Sequence, residues 1–182
     1  KGWGGAAFSG HYEITGRITG EVRLRGRTYK VDCVDTLDRS WGPRKERDNG
    51  NAIWLHGSFG EALTMHAFFG VDPAHTAEFG PLISGYILED GKVHGLVEGK
   101  GRAERIHNLP ISNEVEVTDS RGKTFRFNAA AVNGANWAPF PSMIYAQSLM
   151  RWHCGDKIGF GIQQDVISRA YLTRNRAAMS AI

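Results

Sequence analysis

From Tyr12 to Leu24 apolar and polar residues trade places along the chain. Tyr12, Ile14, Ile18, Val22 and Leu24 hold even positions, while His11, Glu13, Thr15, Arg17, Thr19, Glu21 and Arg23 hold odd ones. Successive side chains of a strand point to opposite faces, so a period of two predicts a half-buried strand with its even residues toward a core. Gly16 and Gly20 fall on that same inner face, where a barrel strand bends or bulges. A tight turn at Gly26 returns the chain through a second strand, residues 28–37, with Tyr29, Val31, Cys33 and Leu37 on one face. This strand runs into the loop Asp38-Arg39-Ser40-Trp41-Gly42-Pro43-Arg44.

Alternation resumes in residues 52–59 and 63–71, a hairpin around Gly60, Glu61 and Ala62. Further hairpins pair 83–89 with 92–98 around Asp90-Gly91, and 113–119 with 123–128 around Arg121-Gly122. A Pro/Asn-containing link, 133–141, precedes a last pair, 143–153 and 157–166, turning at Gly155-Asp156. The tail, residues 168–180, is the one expected helix. About ten antiparallel strands joined by short turns, with no βαβ alternation, leave an all-β sandwich or a closed up-and-down barrel. The barrel is preferred, because closure removes the edges that so many strands expose. A single barrel domain over 1–182 is expected, with 1–10 and 168–182 as flanking segments.

Composition agrees with one globular domain and narrows the partners. The 182 residues are 41% hydrophobic and 23% charged, which excludes a disordered or coiled-coil chain. No apolar run approaches the roughly 18 residues of a membrane span, and the first residues show no signal-peptide core, so a cytoplasmic protein is expected. The net charge of +3 comes largely from dispersed arginines. Arg17, Arg23, Arg25 and Arg27 alternate with apolar neighbours and read as the solvated face of a sheet, so no nucleic acid is expected as partner. Cys33 and Cys154 make no framework and read as two reduced thiols.

Signatures of nucleotide, Rossmann-type and zinc-protease chemistry are absent, so chemistry here falls to side chains in a pocket, without a cofactor. Two places offer candidates. In the loop, Asp38 either pairs with Arg44 as an anchor while Trp41 plugs the barrel end, or faces an apolar interior that raises its pKa and makes it a proton donor. In the second hairpin, cross-strand pairs sum to 122 if the connection has three residues. That sets His56 opposite His66 and Trp54 opposite Phe68 on one face, with Ile53, Leu55, Phe59, Leu63, Met65 and Phe69 on the other. One face lines the lumen and the other an outer layer; no third ligand is fixed by spacing, so no metal is expected. The last hairpin adds Tyr145, Gln147, Arg151 and His153 on one strand, and Gln163 and Asp165 on the next. These line a pocket or face solvent.

The run His11-Tyr12-Glu13 with Gly16 and Gly20, then Val31-Asp32 leading to the 38–44 loop, resembles the double-calycin, AttH-like superfamily. That group includes carotenoid 1,2-hydratase and kievitone-hydratase-type proteins, whose comparable motif reads Asp-His-x-Trp-Gly. Arg39 stands here where histidine is usual. The closing Gly159-Phe160-Gly161 strand looks similar too. The resemblance implies a lipocalin-like barrel holding a hydrophobic small molecule, with hydration or cyclisation of an alkene in some relatives. It also implies a second barrel or a homodimer.

Two functions follow as expectations. The first is a cofactor-independent lyase of hydratase or dehydratase type, or a related isomerase or cyclase, acting on an unsaturated isoprenoid or polyketide-like substrate. Asp38 protonates the alkene, His66 or His56 activates water, and Trp41, Trp54 and Phe68 stabilise cationic character. Arg44 and Tyr145 complete the substrate-binding set. The second is a non-catalytic binding module for the same kind of molecule.

Overall fold

The computed structural model describes residues 10–42, 51–71 and 77–174. Ten strands follow in chain order: β1 (Gly10–Leu24), β2 (Arg27–Trp41), β3 (Ala52–Ser58), β4 (Leu63–Val71), β5 (Phe79–Glu89), β6 (Lys92–Ile106), β7 (Leu109–Asp119), β8 (Thr124–Phe140), β9 (Met143–Cys154) and β10 (Lys157–Ser168). A short helix, α1 (Arg169–Arg174), ends the described chain. No helix among the described residues is long and apolar enough to cross a membrane.

The all-β barrel forms as the hairpin signals require. Strands β3 to β10 make an antiparallel meander, and β10 closes it on β3. Two-residue turns with positive φ at both positions join several pairs, as at Arg25-Gly26 and Asp90-Gly91. His107-Asn108 makes the same turn without glycine; lacking that cue, the sequence reading stops β6 and starts β7 too far from it. The stretch read as a link, 133–141, is mostly the far half of β8, whose backbone pairs with β9 as far as Phe140.

Eight strands close the barrel, and β1 and β2 stand apart as a two-stranded sheet. That sheet inverts the expected sidedness. Its apolar row, Tyr12, Ile14, Ile18, Val22 and Leu24, lies exposed to solvent. The polar row turns toward the outer surface of the barrel, where Glu13 and Thr15 meet β3, β4 and β5. The cause lies in the barrel wall. Along β3 and β4 the odd residues Ile53, Leu55, Met65, Ala67 and Phe69 fill the interior, leaving Trp54, His56, Thr64 and His66 on the outer face. All seven residues of β3 are buried, because the hairpin covers what the interior does not. A face carrying two imidazoles and an indole N–H accepts a polar cover; an aliphatic one leaves those groups unpaired at a cost of about 1–3 kcal/mol each.

The interior is packed. Phe69, Phe127, Met150 and Trp152 are fully buried in its apolar part, with Phe127 edge-on to Trp152 at 6.4 Å between ring centroids. At the polar end Arg105 donates to Asp165 (2.7 Å), Gln163 donates to Asp165 (2.9 Å), and Asn113 donates to Gln163 (2.8 Å). Gln163 and Asp165 thus point inward, opposite Ser148 and Ala146. Tyr145, Gln147, Arg151 and His153 take the outer side of β9, so the pocket face sketched from the last hairpin divides between two sides of the wall.

Closure places β10 tightly on β3 at paired glycines, Gly161 and Gly57. A Cβ on Gly161 runs into the His56 carbonyl and lies 2.9 Å from Gly57 Cα, both backbone atoms that cannot swing aside. At Gly16 an added Cβ meets nothing within 4 Å. Gly161→Ala is therefore expected to cost about 1–3 kcal/mol, a fall of about 2–4 °C in Tm per kcal/mol for a chain this size. Gly16→Ala should leave Tm unchanged in thermal melts followed by circular dichroism. Equal melting of the two variants would contradict this closure.

Candidate functional site

The second hairpin has the register its spacing predicts: His56 pairs with His66 and Trp54 with Phe68. Their face is the outer one and not the lumen: His56, His66 and Trp54 lie beneath the β1–β2 hairpin, and Phe68 is half-buried. Across the seam, Glu13 of β1 binds two of them. One carboxylate oxygen lies 2.8 Å from His66 Nδ1, and the other accepts from Trp54 Nε1 at 2.7 Å. Trp54 and Tyr86 flank the His66 ring, with centroids 5.6 and 5.3 Å away. The Tyr86 hydroxyl is 3.2 Å from Thr15 Oγ1, which lies 3.1 Å from Thr36 Oγ1. Alongside, His56 Nε2 lies 2.7 Å from Asp35 Oδ1, and Ser58 donates to the Val34 carbonyl at 2.6 Å.

Electrostatics fixes the charge on this seam. Burial pushes the Glu13 carboxyl up, but the hydrogen bond and charge of His66, with the bond from Trp54, outweigh it and hold the group below its ordinary value. The contact with His56 holds the Asp35 carboxyl low as well, against partial burial. Burial raises the Tyr86 phenol, which stays protonated. Two carboxylate–histidine pairs therefore sit side by side. In each, one ring nitrogen lies within 2.8 Å of the carboxylate; His66 Nε2 and both nitrogens of His56 are buried with no aligned hydrogen-bond partner among the described residues. A neutral imidazole donating from Nδ1 presents a lone pair at Nε2, the arrangement of a general base or a metal ligand.

The other nominated residues disperse. Asp38 stands opposite Glu13 in the β1–β2 ladder with its side chain 42% exposed, 3.9 Å from His11, so the apolar interior expected around it is absent. Trp41 is exposed and packs edge-on against Tyr12 at 6.0 Å between centroids. Arg44 lies outside the described residues. Tyr145 packs on Trp137 on the outer side of β9. His11, Glu13 and Asp38 each bring one nitrogen or oxygen donor to within 4.8 Å of the others, but both Glu13 oxygens are already engaged by Trp54 and His66. Three residues the sequence reading missed, Glu13, Asp35 and Tyr86, belong to the seam. Nothing local in the sequence set Glu13 apart from Glu21 in the same polar row.

A family model described as a domain of unknown function (DUF7064) matches residues 2–164. No curated protein and no solved structure matches the chain.

The depressed carboxyls give the seam a pH signature. Their contribution is fully present above the ordinary carboxylate range of about 4 and is lost as pH falls through the lower folded values. Below pH ~4, then, β1 and β2 amides around Glu13 and Asp35 should lose hydrogen-exchange protection, after correction for intrinsic rates, before strands β7 to β9 do. Simultaneous loss in hairpin and barrel would show that the two carboxylates do not hold the hairpin down.

Proposed function

We propose that this chain, which belongs to the family described as a domain of unknown function (DUF7064), is a cofactor-independent lyase of hydratase or dehydratase type working in the seam between hairpin and barrel. One observation carries the reading: His66 donates to an ionised, buried carboxylate through Nδ1 and keeps Nε2 bare in an aromatic surrounding. A histidine needed only as a fastener has no use for an unpaired buried nitrogen, which costs about 1–3 kcal/mol.

In the hydration direction, His66 Nε2 takes a proton from water as the water oxygen bonds to one alkene carbon. The Tyr86 hydroxyl, held protonated by burial, protonates the other carbon. Glu13 stays ionised, fixes the ring and stabilises the imidazolium that forms, the role a carboxylate plays behind a catalytic histidine. Trp54 offers its ring face to cationic character on the substrate. Asp38 and His11 stand at the exposed end of the seam.

Access requires the hairpin to lift, because Nε2 is sealed from solvent in this state. The seam's chemistry favours such a motion. Its contacts are largely hydrogen bonds and ion pairs, which exchange for water at a net cost of about 0.5–1.5 kcal/mol each. Phe127, Met150 and Trp152 lie in the buried apolar core, so this reading places the substrate in the seam.

The test is a panel of unsaturated isoprenoid and polyketide-like compounds incubated with the protein in ¹⁸O-labelled water and followed by mass spectrometry. Incorporation should fall about a hundredfold or more in His66→Asn and Glu13→Gln, with barrel melting retained and Tyr145→Phe unaffected. Wild-type turnover by His66→Asn would sink the catalytic assignment. Retention of a compound without ¹⁸O incorporation would favour the binding module.

A further inference from the structure

The excess positive charge of this chain sits in one place. Residues 21–30, the far end of the β1–β2 hairpin, hold Arg23, Arg25, Arg27 and Lys30 against the single acid Glu21. Their net charge is +3, the same as that of all 182 residues, so the rest of the chain balances to zero. On the barrel, Arg102, Arg105, Arg121, Lys123 and Arg126 each bind a carboxylate. The ion pairs of the hairpin stop at Arg17, which binds Asp32 and Glu61. None of the four cations beyond it has a carboxylate partner among the described residues. Every residue from 16 to 30 is exposed, so the barrel covers neither face of this part of the ribbon.

The ribbon is also two-sided. Ile18, Val22, Leu24 and Tyr29 share its outer face, each 47–58% exposed, and Tyr12 and Trp41 stand on that face nearer the barrel. The cations of this face are Arg27 and Arg39, and its one acid, Asp35, is held by His56 at 2.7 Å. Arg23 and Lys30 lie on the other face and Arg25 in the turn. Arginine and lysine stems run beside apolar surface while their charged heads stay at its polar boundary. The surface that answers such a ribbon has hydrocarbon and negative charge in adjacent layers. A bilayer with anionic headgroups has both, and Tyr and Trp collect at its boundary. A nucleic acid answers the cations but leaves Ile18, Val22 and Leu24 in water. A second copy of this chain answers the apolar row but adds its own unpaired cations.

We propose that the β1–β2 hairpin docks this protein on an anionic lipid surface. Its outer face lies at the boundary of headgroups and acyl chains, about 5–10 Å deep, and Arg23, Arg25, Arg27 and Lys30 take the lipid phosphates. The seam is on the opposite side of the hairpin, so this docking does not depend on the chemistry proposed there.

Co-sedimentation of the full chain with vesicles tests this, using phosphatidylcholine alone or with about 30% phosphatidylserine. Binding is expected to the anionic vesicles, at least about tenfold tighter than to phosphatidylcholine alone. It should weaken as salt rises toward ~1 M, where charge reaches only about 3 Å. Arg23→Gln with Arg25→Gln should weaken it about thirtyfold, about fivefold for each charge. Arg126→Gln with Arg151→Gln, the same change of net charge on the barrel, should leave it unchanged. A polarity-sensitive dye on the exposed Cys33, with Cys154→Ala as background, should shift to the blue on the vesicles, because Cys33 pairs with Ile18 on the docking face. The dye and the salt series leave the arginines in place, so they stand even if the double variant disturbs the hairpin. No vesicle binding, equal binding to neutral vesicles, equal loss in the two double variants, or a dye that stays in water overturns the proposal. Binding to duplex DNA through the same arginines, with vesicles ignored, overturns it in favour of a nucleic acid.

Discussion

The Glu13 carboxylate joins the two parts of this molecule. It receives Trp54 Nε1 on one oxygen and His66 Nδ1 on the other, and these come from neighbouring strands of the barrel wall. Without an acceptor at this point, an indole and an imidazole would be buried beneath the hairpin with their N–H groups unpaired, and the hairpin could not lie where it does. Because the carboxylate is held ionised by the groups it binds, structure and charge state are fixed by the same contacts.

From this joint the inversion of the hairpin follows. The barrel already has a complete aliphatic and aromatic interior, so the outer face of β3 and β4 is free to be polar, and a polar row must cover it. The apolar row of β1 is then forced outward, and the structure acquires two surfaces of opposite kind. One is a buried polar seam with bare imidazole nitrogens; the other is an exposed apolar ribbon. A conventional strand buries its hydrophobic face in its own core; here that face lies exposed.

Much of the architecture was legible because turns and period-two alternation are local. The β3–β4 register followed from counting three residues between strands, and His56 does face His66. What alternation does not say is which side of a strand meets which layer. Ile14 and Ile18 looked like core because they are apolar, yet the core they would join is already filled by Phe69, Phe127 and Trp152. Asp38 drew notice through its motif, while Glu13, buried and bonded to two residues more than forty positions away, gave no local sign of it. Gln163 and Asp165 were recognised as polar groups needing partners, but Arg105, which supplies one, comes from a strand sixty residues earlier.

The tautomer of His66 tests the central claim most directly. With ring nitrogens labelled with ¹⁵N, spectra recorded over a pH series distinguish a neutral ring protonated on Nδ1 from one protonated on Nε2. A ring fastened to Glu13 must show its proton on Nδ1, hydrogen-bonded and slow to exchange with solvent, and a bare Nε2. A proton on Nε2, or a ring whose protons exchange as freely as those of an exposed histidine, would mean that Glu13 does not hold it, and the account of both hairpin and site would fail.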